Sequence, residues 1–107
     1  MKPVVFLGNS KNVILTFPQG VRSQVGHELY LVQEGREPGD FKPMATIGTG
    51  VFELRIRVSP GTYRVIYIAK YRSAVFVLHA FQKKTQKTQE SDLKLAAQRL
   101  ALIKETP

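Results

Sequence analysis

Arg55, Arg57, Arg64, Lys70, Arg72, Lys83, Lys84 and Lys87 are the charged residues between Leu54 and Gln89, a stretch with no Asp or Glu. Guanidinium forks match phosphate oxygens two at a time, and ammonium groups add compact point charges. A cluster of them could hold an RNA phosphate and stabilise the extra charge of a pentacovalent transition state. For any one of these residues, a solvated charge on a basic surface is the plainer reading.

What decides between the two readings is whether the backbone gathers the charges. Val51 to Val58 alternates: Phe52, Leu54, Ile56 and Val58 face one way, Glu53, Arg55 and Arg57 the other. Ser59-Pro60-Gly61-Thr62 is a turn. Tyr63 to Tyr71 and Ala74 to Phe81 are rich in β-branched and aromatic residues and read as two more strands, joined by Arg72-Ser73. A meander of these three strands would bring Arg55, Arg57, Arg64, Lys83 and Lys84 to one side of the sheet. Such a sheet expects a polyanion, with RNA the chosen partner.

The rest of the chain supplies the scaffold. Val4 to Leu7 is a short strand. Asn9 or Ser10 can cap a helix that Pro18 ends or kinks. Val21, Val25, Leu29 and Val32 have helical spacing, and Gly35 suits the position just past that helix. Phe41 to Ile47 is a weak strand with Pro43 inside it, so an edge. Val75-Phe76-Val77-Leu78 is apolar on both faces and should be a central strand covered on both sides. Ser91-Asp92 offers a cap for a last helix carrying Leu93, Ala96, Ala97, Leu100 and Ile103. The expectation is a single α+β domain over 1–107: an N-terminal strand, a helical hairpin packed on a four- to five-stranded, mainly antiparallel sheet, and a C-terminal helix.

Composition narrows the function classes. Sixteen Lys and Arg against eight Asp and Glu give a formal charge of +8, which favours anionic partners and salt-dependent binding. The chain has no cysteine, so disulfides, Cys-ligated zinc and a Cys nucleophile are excluded. His27 and His79 are too far apart for a His-rich metal motif, and no metal or cofactor is expected. No apolar run reaches the ~18 residues that span a membrane, and the N-terminus is too short for a secretory leader. A cytoplasmic protein without a membrane partner is expected.

Three runs carry a resemblance. They are Gly48 to Arg57 (GTGVFELRIR), Gly61 to Tyr67 (GTYRVIY) and Val77 to Thr88 (VLHAFQKKTQKT). They resemble the RelE/HigB-type toxins of toxin–antitoxin pairs, in the subgroup labelled phage-derived, and the likeness covers nearly the whole chain. The resemblance implies a metal-independent endoribonuclease that cuts messenger RNA on the ribosome. The 2′-hydroxyl attacks the adjacent phosphate and leaves a 2′,3′-cyclic end. It also implies a cognate helix-turn-helix antitoxin. Carried over, Arg64 matches the phosphate-stabilising arginine, and Arg55 matches a basic residue on the preceding strand. Lys83 falls where an arginine acts on the leaving side, with Lys84 able to substitute. Arg57, Lys70, Arg72 and Lys87 would add RNA contacts. His79 is the candidate for proton transfer, although alternation groups it with Val75, Val77 and Phe81 as a core histidine. Glu53 stands where the archetype has a lysine, and is either a general base or a salt-bridge partner of a neighbouring arginine. Gln89 stands where the archetype carries a tyrosine.

Two other readings share this fold. One is a ParE-like protein that poisons gyrase. The other is a non-catalytic nucleic-acid binder that stacks bases on Tyr63, Tyr67 and Tyr71, tyrosines that could equally fill a core.

Overall fold

A computed structural model describes residues 1–58, 61–84 and 88–105. The elements run β1 (Val4–Phe6), α1 (Ser10–Leu15), α2 (Gln19–Gln33), β2 (Phe41–Pro43), β3 (Val51–Val58), β4 (Gly61–Ile68), β5 (Val75–Lys83) and α3 (Glu90–Leu100). They form one five-stranded sheet in the order β1-β5-β4-β3-β2. β1 lies parallel to β5, and the remaining pairs are antiparallel.

The α1–α2 hairpin covers one face. Ile14, Phe17, Val21, Val25, Leu29 and Val32 repeat every three or four residues and bury against Leu54, Ile56, Tyr63, Val65, Tyr67, Val75 and Val77. α2 stops where Gly35 adopts φ +80°, a left-handed conformation that favours glycine. The Gly35 N–H then donates to the Val32 carbonyl and the Arg36 N–H to that of Leu31, the paired bonds of a Schellman stop. α3 covers part of the other face. Leu93, Ala96, Leu100 and Ile103 pack on Ile66, Ile68, Phe76 and Leu78. β5 is thus covered on both sides, as its unbroken apolar run requires.

One irregularity sets the side-chain directions in β5. Tyr67 pairs with Val77, but the preceding residue, Ile66, pairs with His79. Leu78 is the extra residue of a β-bulge. Before it, Val75 and Val77 face the hairpin; after it, Ala80 does. His79 therefore does not share a face with Val75 and Val77, as strict alternation suggests, but turns to the opposite side with Phe81.

Other boundaries also differ from the sequence reading. β2 is only three residues long: beyond Pro43, Met44 N–H still donates to the Val51 carbonyl, and the chain then turns, with Ile47 N–H donating to the Met44 carbonyl. β4 ends at Ile68, so Tyr71 leaves the face shared by Tyr63 and Tyr67 and packs with Phe76 in the α3 cluster. Asn9 makes no side-chain cap to α1. α3 begins at Glu90, which puts Ser91 and Asp92 inside its first turn and not at its cap.

Candidate functional site: a cationic corner of the sheet

The register of β3, β4 and β5 stacks three rows of residues on the face that also carries α3. They are Glu53–Ile66–His79, Arg55–Arg64–Phe81 and Arg57–Thr62–Lys83. Arg55 and Arg64 are direct cross-strand neighbours, and Lys83 sits one row away. The strand pairing therefore gathers Arg55, Arg57, Arg64 and Lys83 at one corner, with exposed Lys84 at the exit of β5. Lys42 of β2 pairs with Glu53 and extends the charge across a fourth strand. Its membership was hidden in sequence, because Lys42 lies well outside the acid-free stretch.

Arg64 is the floor of this corner. It is only 4% exposed, and Glu53 is 0% exposed. The Arg64 Nε lies 3.2 Å from the Glu53 Oε1. That distance makes an ion pair, but the atoms are out of line for a hydrogen bond. Among the described residues, Arg64 Nε and Nη1 and Glu53 Oε1 have no hydrogen-bond partner. The other oxygen, Glu53 Oε2, accepts a 3.0 Å bond from the hydroxyl of Thr88. Burial lowers the affinity of Arg64 for its proton, Glu53 opposes that effect, and Arg55 and Arg57 add to it. An arginine nevertheless stays charged, so this corner holds a desolvated cation with spare donors.

Asp40 shapes the rim. Its Oδ1 lies 3.1 Å from Arg55 Nε and its Oδ2 3.3 Å from Arg57 Nε. One carboxylate thus orients two guanidiniums and offsets part of their charge. Lys83 has its ammonium pKa pushed down, first by burial and then by Arg64. A group in that position gains when an anion arrives and relieves the repulsion.

His79 has a different setting. It is 6% exposed and stacks on Phe81 with ring centroids 5.3 Å apart. Its Nε2 is 2.7 Å from Asp92 Oδ1, and its Nδ1 is 3.4 Å from Arg99 Nη1. A guanidinium only donates, so Nδ1 acts as the acceptor and Nε2 carries the proton toward Asp92. Arg99 Nη1 also donates to the Leu78 carbonyl at 3.0 Å, and Nη2 to Asn9 Oδ1 at 2.8 Å. Asp92 and Arg99 thereby clamp α3 onto the bulge. In sequence Asp92 reads only as a helix cap and Arg99 carries no signal, since only the fold brings them to His79.

Lys70 and Arg72 stand apart. Both are exposed in the connection beyond the far end of β4, and Lys70 lies over the ring of Tyr71. Lys87 falls outside the described residues. Tyr63 and Tyr67 face the hairpin, where they pack against Phe17 and Phe52. That placement favours the core reading of these tyrosines over base stacking. A separate cleft of about 350 Å³ lies among Val32, Pro38, Phe41, Phe52 and Tyr67 and includes none of the clustered cations. Among the described residues, no group of three or more His, Asp or Glu is placed to hold a metal ion. No helix among them is long and apolar enough to cross a membrane.

No curated protein matches the chain. Residues 12–101, from α1 to the end of α3, match the phage-derived protein family Gp49-like (DUF891), a toxin-like family of toxin–antitoxin systems. The match spans the hairpin, all four strands from β2 to β5 and the clamped helix, and the chain belongs to the Gp49-like family.

Proposed function

We propose that this protein is the toxin of a toxin–antitoxin pair, and that it acts on messenger RNA through the cationic corner. The carrying observation is Arg64: a guanidinium almost wholly out of water, with two N–H-bearing nitrogens that no described residue satisfies. Charged donors left unpaired are costly, and a phosphate oxygen is the acceptor they suit best. Arg55, Arg57, Lys83 and Lys84 would draw the backbone in, and Arg64 would take the charge that develops at the scissile phosphorus. The reaction would be attack by the 2′-hydroxyl on its own 3′-phosphate, which forms a 2′,3′-cyclic phosphate and releases a 5′-hydroxyl. The ribosome is the proposed setting, and a helix-turn-helix antitoxin the proposed neutralising partner.

The test combines purified protein with ribosome-bound message and with free RNA, followed by mapping of the RNA ends. Cyclic phosphate ends that appear with wild-type protein and fade in Arg55→Ala and Lys83→Ala would support the reading. A second reading, a non-catalytic nucleic-acid binder, is favoured by the engagement of both His79 ring nitrogens and the complete burial of Glu53. RNA that is retarded but left intact would select it.

A further inference from the structure

We infer that Glu53 is a positioning residue for Arg64, steadied from its other side by Thr88, and does not transfer protons. The inference rests on the proposed RNA-directed role of the corner. A general base must reach the hydroxyl it deprotonates. Glu53 has no exposed surface, and each of its oxygens already faces a neighbour. Oε1 lies beside Arg64 and Oε2 accepts from Thr88. Its cross-strand partners, Lys42 and Ile66, flank it in the sheet.

The geometry suits orientation. An arginine brought out of water needs a counter-charge nearby, and Glu53 supplies one two residues from Arg55 on the same strand. The misaligned contact attracts the guanidinium without using up its donors, and Nε and Nη1 have no hydrogen-bond partner among the described residues. Thr88 stands just ahead of α3. Its hydroxyl fixes the carboxylate rotamer, and so ties the entry of that helix to the arginine.

The experiment compares wild-type protein with Glu53→Gln and Thr88→Val. Gln keeps the size of Glu and an acceptor for Thr88 but loses the charge. One readout needs no catalysis: the exchange of the Arg64 Nε–H with water, followed by nitrogen-15 NMR in the free protein. Glu53→Gln should speed that exchange by about ten-fold, and Thr88→Val by less. With a message oligonucleotide, the rate of the bound complex should fall by about 10²-fold, as a misplaced group predicts. Affinity for a 2′-deoxy analogue should stay within about two-fold, since uniform binding is retained. The shape of the pH–rate profile should not change.

Unchanged Nε–H exchange in Glu53→Gln would overturn the proposal. So would loss of the acidic limb of the pH profile, which would make Glu53 a base. Wild-type protein that leaves RNA uncut defeats the nuclease reading alone, because the exchange measurement still decides the role of Glu53.

Discussion

Replacing Arg64 by Met should destabilise the protein strongly. The guanidinium disappears, and Glu53 stays at 0% exposure with one hydroxyl, that of Thr88, as its hydrogen-bonding neighbour. Removing one member of a buried ion pair costs about 3–5 kcal/mol. Total stability for a domain of this size is about 5–15 kcal/mol, so much of it is at stake. An unfolding entropy of about 2.1 cal/mol/K per residue over the chain makes roughly 0.22 kcal/mol/K, so a 4 kcal/mol loss lowers Tm by roughly 18 °C. Urea denaturation of wild-type protein, Arg64→Met, Glu53→Met and the double variant would measure the coupling. The double variant removes both charges and should recover to within about 1–2 kcal/mol of wild type, since apolar replacement of a whole buried pair is often neutral. Additive losses, with the double variant as weak as the two singles together, would show that the two side chains do not act as a pair and would refute the argument. The same numbers bear on activity assays. Loss of growth arrest in Arg64→Ala speaks for the site only if the variant is shown to be folded.

Further expectations follow from other residues. Lys83→Ala and Lys84→Ala should leave stability within about 0.5 kcal/mol. Each should lower the slope of log K against log salt for single-stranded RNA by about 0.7; binding isotherms at several salt concentrations give that slope. Gly26 is exposed in the middle of α2, and a methyl there meets nothing within 4 Å, so Gly26→Ala should stabilise by about 0.5–1 kcal/mol in a thermal melt. Gly8, at φ +56° with the Arg99 guanidinium crowding an added Cβ, should respond in the opposite direction, with Gly8→Ala losing about 1–3 kcal/mol. Burial pushes the Tyr67 phenol up to about 12, helped by Glu37 and Glu28. A raised pKa favours the protonated form in the folded state. That contribution is complete below about pH 10 and is lost as pH climbs toward about 12, so alkaline unfolding should begin in that window. Phenolate absorbance should show one late-titrating tyrosine, absent in Tyr67→Phe.

Much of the fold was legible because its signals are periodic. The helical spacing of Val21, Val25, Leu29 and Val32, the alternation from Val51 to Val58 and the double-sided run at Val75 each led to the observed element. The element order and the convergence of Arg55, Arg64 and Lys83 followed from them. What stayed hidden depends on one-residue details. A bulge has no composition signal, so the side to which His79 turns could not be read. Asp40, Asp92, Thr88 and Arg99 matter through partners 13 to 90 residues distant, and no local pattern reports such pairs. The depth of Arg64 was also unreadable. An arginine on a strand with Tyr63 and Val65 looks superficial until Glu53 is found beside it, fully enclosed.

The extra residue in β5 has a genetic consequence. In a regular strand, losing one codon reverses the parity of everything downstream and turns buried groups outward. At Leu78 the opposite holds: excision would restore plain alternation and leave Ala80 toward the hairpin and Phe81 toward the cations. The loss would fall instead on the buried Leu78 side chain beneath the last helix and on the carbonyl that receives Arg99. Shortening the gene by that one triplet should thus loosen the grip on the last helix while sparing the arrangement of Arg55, Arg64 and Lys83.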